Sequence, residues 1–333
     1  MPSNDSGDWQ PTATLDILKL RARMLERIRA FFSERGVLEV ETPILSNAAT
    51  TDPALASLAT RYTGPLFPHG QTFYLHTSPE FPMKRLLAAG SGSIYQVCRV
   101  FRDGEAGRLH NPEFTMIEWY RVGFDHHRLM DETGELMTQL LAPSLSLQPP
   151  EKLTYREAFQ RHAGLDPHAV TAEEFARAAG RHHVDVPRDL RDHNDVGVWR
   201  DLLLTHLIEP GLGRGRLTFL YDYPASQASL ARVQPGNPPL AARFELYLNG
   251  VELANGFHEL ADANEQRTRF ERQLHDRTAA GLPAVPTDAR LLAALTHGIP
   301  DCAGVALGFD RLVMLAAGAR SIAEVIPFPI DRA

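Results

Sequence analysis

The sequence predicts an α+β fold: an antiparallel β-sheet flanked by helices, with a small helical insert. Three observations predict it. Apolar residues alternate on both sides of Asn249-Gly250, which marks a tight hairpin of 244–248 against 251–254. A second pair of β-branched and aromatic runs, 94–101 and 114–120, is joined by a polar loop holding Gly104, Gly107 and Pro112. Helical periods gather between such hairpins instead of alternating regularly with single strands, the mark of α+β. The length of 333 residues allows one large domain or two ordinary ones, and a 44% hydrophobic, 23% charged composition is that of a globular chain with a sizeable core.

In chain order, residues 1–13 read as a short disordered arm ahead of one folded body over 14–333. Over 14–35, Ile17, Leu20, Met24, Ile28 and Phe31 recur at steps of three and four, an amphipathic helix that Gly36 closes. A short strand over 37–40 ends at Thr42-Pro43. Residues 46–71, rich in Ala, Thr, Pro and Gly, read as an irregular excursion, and 73–77 as a strand. Ser78-Pro79-Glu80 opens a helix to about Ala89, with proline and an acidic residue at the end that favours both. Residues 128–141 are helical and 143–150 a linker. A helical insert follows over about 151–215, with a capping box at Thr171 and Glu174 and a further helix over 199–208. Residues 217–221 return to strand, 234–239 form a loop, 262–280 a charged helix, and 304–307 a strand that meets a helix at Gly308.

The bulk properties exclude several classes. No apolar run reaches the ~18 residues of a membrane span. The N-terminus is polar and acidic, unlike a signal or transit peptide, so a cytoplasmic protein with no membrane contact is expected. The net charge of −7 gives no basic footprint for nucleic acid. Cys98 and Cys302 are the only cysteines and read as free thiols. His126-His127 and His182-His183 are adjacent pairs; side chains about 100° apart on a helix are not expected to share a metal.

Three separated features suit one ligand. Arg102 and Arg108 in the hairpin loop offer guanidinium forks to phosphate oxygens. Glu252 and Glu259 offer carboxylates to a divalent cation. Gly308 and Arg311 stand at a strand-to-helix junction, where backbone N–H groups favour anions. Neither Gly-x-x-x-x-Gly-Lys-Ser/Thr nor Gly-x-Gly-x-x-Gly occurs, so the site is a nucleotide–metal site on an antiparallel sheet.

These stretches resemble class II aminoacyl-tRNA synthetases of the lysyl type. Val37-Leu-Glu-Val-Glu-Thr-Pro43 resembles the first class motif, Phe101-Arg102 through His110-Asn-Pro-Glu-Phe-Thr-Met116 the second, and Gly304-Val-Ala-Leu-Gly-Phe-Asp-Arg311 the third. Ser78-Pro-Glu-Phe-Pro-Met-Lys-Arg85, Phe114-Thr-Met-Ile-Glu-Trp-Tyr120, Pro224-Ala-Ser-Gln-Ala-Ser-Leu230 and Glu252-Leu-Ala-Asn-Gly-Phe-His-Glu259 are similar to free-standing paralogues of that family, which join β-lysine to a lysine of elongation factor P. The resemblance implies a homodimer through the N-terminal helix and strand, with ATP and Mg²⁺ as cosubstrate and cofactor. About 13 residues precede the first helix, so no anticodon-binding domain is expected, and tRNA is not an expected partner.

By the family pattern, Arg102 holds the α-phosphate, and Arg311 stacks on adenine against Phe114. Asp103, Gly104 and Asn111 also contact the nucleotide, Leu253 and Gly308 give it backbone and space, and Glu252 and Glu259 hold the metal. The amino acid is assigned to Glu80, Glu118 and Glu259, carboxylates suited to its ammonium groups, with Ser78, Pro79, Tyr120, Asn255 and Ala306 beside them. Ala306 stands where lysyl-tRNA synthetases tend to have glycine, and its methyl would favour β-lysine over α-lysine. The family's Arg-x-Glu is altered: Gly104 occupies the glutamate position, leaving either Glu105 or the loop backbone to replace it. Two other readings stay open, a ligase charging tRNA or another small acceptor and a catalytically silent regulatory subunit.

Overall fold

The structure, a computed structural model, describes residues 9–190 and 194–333. The single body expected over 14–333 is two compact units: Met1–Gly123, Ala261–Cys302 and Ala306–Ala333 form the first, Phe124–Leu260 and Ala303–Val305 the second. Of the arm expected over 1–13, residues 1–8 lie outside the described residues, but its end is fixed. The Thr12 N–H donates to the Pro327 carbonyl at 2.9 Å, its hydroxyl to the Ile326 carbonyl at 2.7 Å, and Ala13 is buried.

The first unit begins with α1 (Leu15–Glu34), capped by the Thr14 hydroxyl, which accepts from the Ile17 N–H. Its apolar stripe buries Met24, Ile28, Phe31 and Phe32, and Gly36 at φ +63° ends it. Then come β1 (Leu38–Glu39), β2 (Leu45–Ser46), β3 (Ala59–Gly64), β4 (Phe67–Leu75), α2 (Glu80–Ala88), β5 (Ile94–Phe101) and β6 (Glu113–Val122). β5 and β6 pair antiparallel with Ile94 opposite Tyr120 and Phe101 opposite Glu113, while β1 adds to β5 in parallel. Phe32 stacks on Tyr95 at 4.4 Å between ring centroids, seating α1 on this sheet.

The excursion expected over 46–71 is irregular from 47 to 58 and mostly strand from 59 onward. β2, β4 and β3 make a separate three-stranded antiparallel sheet in that order, where Phe67 and Phe73 meet edge-to-face at 5.8 Å. β3 is mostly exposed. With no buried face it shows no alternation of apolar and polar residues, which is why the pattern concealed it.

The second unit contains α3 (His126–Leu141), β7 (Gln148–Thr154), α4 (Tyr155–Ala163), α5 (Ala172–Arg181), α6 (Val196–Leu203), β8 (Arg216–Pro224), β9 (Val233–Gln234), β10 (Leu240–Leu248) and β11 (Val251–His258). The expected 143–150 linker gives way to β7, which runs parallel to β8. The rest of the insert is helical, with capping boxes at Thr154/Glu157 and at the expected Thr171/Glu174. Tyr155, Phe159, Phe175 and Trp199 fill its core. β10 and β11 form the expected hairpin, with Asn249 at φ +53° and Gly250 at φ +73°, as a type I′ turn requires. The chain then completes the first unit with α7 (Ala263–Ala279), the unforeseen α8 (Ala289–His297), the strand β12 (Cys302–Gly308), of which Ala303–Val305 fall in the second unit, and α9 (Phe309–Ala317). No described helix is long and apolar enough to cross a membrane.

One buried ion pair ties three elements of the first unit. Asp310, in the first turn of α9, accepts from the Arg21 guanidinium of α1 at 2.5 Å and from the Thr115 N–H of β6 at 2.6 Å. Arg21 also donates to the Val325 carbonyl and the Thr115 hydroxyl. Asp310 is 1% exposed and Arg21 9%. Removing one charge would strand the other away from water, at about 3–5 kcal/mol. Asp310→Ala is expected to lower unfolding free energy by that amount in urea titration, and Arg21→Met/Asp310→Leu by distinctly less; equal losses would contradict the buried-charge account.

Candidate active site

The β5–β6 loop owes its shape to Gly104. At φ +78° it takes the left-handed conformation with nothing within 4 Å of an added Cβ, so backbone conformation, and not space, demands glycine there. The turn brings Glu105 back to Arg102, whose Nη1 lies 3.6 Å from the Glu105 carboxylate. Glu105, the residue after Gly104, is thus paired with Arg102. The Arg102 guanidinium also lies over the Phe114 ring, 5.1 Å from its centroid, and its Nε donates to the Thr77 carbonyl at 3.5 Å. Asp103 is exposed, with its N–H held by the Ala56 carbonyl.

Arg311 reaches this loop from α9. Its Nε donates to the Leu109 carbonyl at 3.3 Å, and its Nη2 lies 2.6 Å from His110 Nε2. Burial and then Arg311 lower the His110 pKa, with Arg102 adding to the effect and Glu105 opposing it. Neutral His110 can accept at Nε2, leaving the proton on Nδ1. Gly308 is the N-cap of α9 and so leaves its first N–H groups without a side-chain cap. Two expected members serve otherwise. Asn111 donates to the Glu113 carbonyl at 2.6 Å and accepts from the Ile330 N–H at 3.0 Å, so its amide clamps the C-terminal segment. Arg108 is directed to the Arg320 carbonyl.

Along β6, Phe114, Glu118 and Tyr120 share one face by alternation. Glu118 is 2% exposed and accepts from the Ser78 hydroxyl at 2.7 Å and the Tyr120 hydroxyl at 2.6 Å. Ser78 also accepts from the Glu80 N–H, at the turn where Pro79 begins α2. The two hydroxyl donors orient both carboxylate oxygens of Glu118. Its field is felt by Cys98, whose thiol is pushed up to about 12 by burial first and then by Glu118. The buried Lys84 holds Glu80 Oε1 at 2.5 Å, so Glu80 has a cationic partner built in. Ala306 is half-buried on β12.

In the second unit Glu252 lies on β11 and Glu259 just beyond its end, bridged to Ala231. Strict alternation would put Glu252 on the face opposite Asn255 and Glu259. A register shift sets this right: Leu246 faces Ala254, whereas Tyr247 faces Glu252, so Leu253 is the extra residue of a β-bulge. Glu252 and Asn255 therefore share a face, with Glu259 two residues beyond Phe257 in the same phase. On β10, Tyr247 stands opposite Glu252, Glu245 opposite Asn255 and Arg243 opposite Phe257, and the sequence reading singled out none of the three β10 residues. Glu245 is buried and accepts from Tyr223 at 2.6 Å, Tyr247 at 2.5 Å and Arg243, and Arg243 Nε donates to Asn255 Oδ1 at 3.3 Å. Burial and then Glu245 raise both tyrosine pKa values, keeping them protonated donors. The signal was there: two opposite charges on one face of an otherwise apolar strand.

The family of class II tRNA synthetases (D, K and N) matches residues 7–332. The chain belongs to this family. It is also 50% identical over 330 residues, 99% of this chain and all of each relative, to proteins named elongation factor P–(R)-β-lysine ligase in Klebsiella pneumoniae subsp. pneumoniae and Salmonella paratyphi B. Class II membership implies use of ATP, and Arg102 over Phe114, with Arg311 at the start of α9, is a donor set that fits a polyphosphate.

A lowered histidine pKa means that the neutral ring is the folded state's form. The His110 contribution to folding is therefore present above its ordinary value of 6.5 and is lost as pH falls through the lower folded value. The His110 ring, followed by NMR, is expected to titrate below 6.5. A midpoint at or above that value would contradict the Arg311 contact.

Proposed function

We propose that the chain uses ATP to activate (R)-β-lysine and transfers it to the ε-amino group of a lysine on elongation factor P. In the first step a β-lysine carboxylate oxygen attacks the α-phosphorus, and the bond to pyrophosphate breaks. In the second the lysine amine attacks the acyl carbon, and AMP leaves. The substrate carboxylate is itself the nucleophile, so the enzyme's tasks are positioning and charge neutralisation. Arg102 neutralises the α-phosphate, and Arg311 covers the adenine, with Phe114 and Gly308 beside them. Glu252 and Glu259 are assigned by the family pattern to Mg²⁺, a hard cation suited to carboxylates that would offset phosphate charge. Asp103, Gly104 and Leu253 line the nucleotide through backbone, whereas Asn111 acts through the loop it clamps.

The observation that carries the reading is Glu118, a buried carboxylate held by Ser78 and Tyr120 hydroxyls on the strand that also bears Phe114. It suits an ammonium of the amino acid. Asn255 and Glu259 serve the same substrate, Pro79 shapes the turn, Glu80 tunes the pocket jointly with Lys84, and Ala306 narrows it in favour of the β-amino isomer. Exposed Leu38, Ile44 and Leu45 support a homodimer through the N-terminal helix and strand. The two free cysteines suit a reducing cytoplasm.

Labelled (R)-β-lysine is offered with ATP to purified elongation factor P and, separately, to tRNA. Label is expected on the protein and not on tRNA. Glu118→Gln is expected to raise the KM for β-lysine about 100-fold or more, with little change in the KM for ATP, since the amino-acid ammonium would then face a neutral amide. Label on tRNA alone, or on neither acceptor, would overturn the proposal.

A further inference from the structure

The adjacent pair His126-His127 behaves differently from a pair in mid-helix. The two are the first residues of α3, where side chains lean back toward the N-terminus. Their rings lie 4.1 Å apart between centroids, at 37°. Asp222 of β8 joins them, and the ligand atoms of His126, His127 and Asp222 all lie within 4.8 Å of one another, the group so placed among the described residues. We propose that His126, His127 and Asp222 bind a divalent cation of the zinc class, which staples the start of α3 to β8 within the second unit.

Four observations carry this. His126 Nε2 stands 3.3 Å from Asp222 Oδ1, close to the edge, roughly 3.3–3.4 Å, of a tetrahedron with metal–ligand bonds of about 2.0–2.1 Å. His127 is exposed, so its ring can turn to close the wider edge. His126 is 2% exposed, and its Nδ1 is buried with no hydrogen-bond partner. Nε2, which faces Asp222, is thus the ring atom that makes the polar contact. Finally, β8 shifts register against β10 between Ala241 and Phe244, and Asp222 sits there at φ +59°, a conformation rare outside glycine that aims its carboxylate out of the ladder.

The surroundings agree in sign. Asp125 and Asp222 act on His127 as anions against Lys152 alone on the basic side, besides His126 itself. Two imidazoles and a carboxylate are borderline donors that suit Zn²⁺ over Mg²⁺ or Ca²⁺, and a water would complete the tetrahedron.

The test titrates metal-free, full-length protein with Zn²⁺ by calorimetry and with Co²⁺ by visible absorption. One equivalent is expected, with the intense d–d bands of tetrahedral cobalt. His127→Ala, at an exposed position, and Asp222→Asn are each expected to weaken binding at least tenfold. His182→Ala/His183→Ala, altering the other adjacent pair, is expected to leave binding as in the wild type. Absence of stoichiometric binding, or wild-type affinity in both His127→Ala and Asp222→Asn, would overturn the proposal and mark any bound metal as adventitious.

Discussion

Asp310 is the constraint on which the residues of the first unit proposed to hold the nucleotide depend. Its two carboxylate oxygens are divided between the Arg21 guanidinium and the Thr115 backbone N–H. Thr115 follows Phe114, and Arg311 follows Asp310, so one buried anion fixes the register of β6 against the first turn of α9. Such a pair is a weak source of net stability, because desolvation opposes the Coulomb attraction. Its value is geometric: a strand and a helix start from distant parts of the chain present an aromatic ring and a guanidinium in one fixed arrangement, which charge stabilisation in a site requires.

The second unit meets the same need with a bulge. Leu253 is inserted against Leu246 and Tyr247, and this single residue changes the phase of β11. Glu252, Asn255 and Glu259 then lie on one face, although their spacings of three and four are helical. Behind them Glu245 gathers Tyr223, Tyr247 and Arg243, and Arg243 passes that order on to Asn255. A buried carboxylate with three donors is a rigid support, because loss of any one leaves a desolvated lone pair.

Where a side chain's role follows from local pattern, the sequence was readable. Asn249-Gly250 gave the hairpin, Gly36 the helix end, Thr171/Glu174 the capping box, and the loop between β5 and β6 was bounded to within a residue. The strands β3 and β7 were missed because mostly exposed strands carry no apolar period. Within the site, the family pattern pointed to Glu118 and Arg311, but no pattern announced that Lys84 already pairs with Glu80 or that the C-terminal segment occupies the Asn111 amide. Those are contacts over long sequence distances or between neighbours on a helix whose burial the pattern leaves open. Asp310, with partners 289 and 195 residues away, belongs to the same class.

The most direct measurement is ATP–pyrophosphate exchange by Asp310→Asn at a temperature where it remains folded. Asparagine keeps the size and an acceptor for the Thr115 N–H but not the charge that holds Arg21. The account predicts a raised KM for ATP and a lowered exchange rate, with the KM for β-lysine unchanged. Unchanged ATP kinetics, or equal weakening of both substrates, would contradict it.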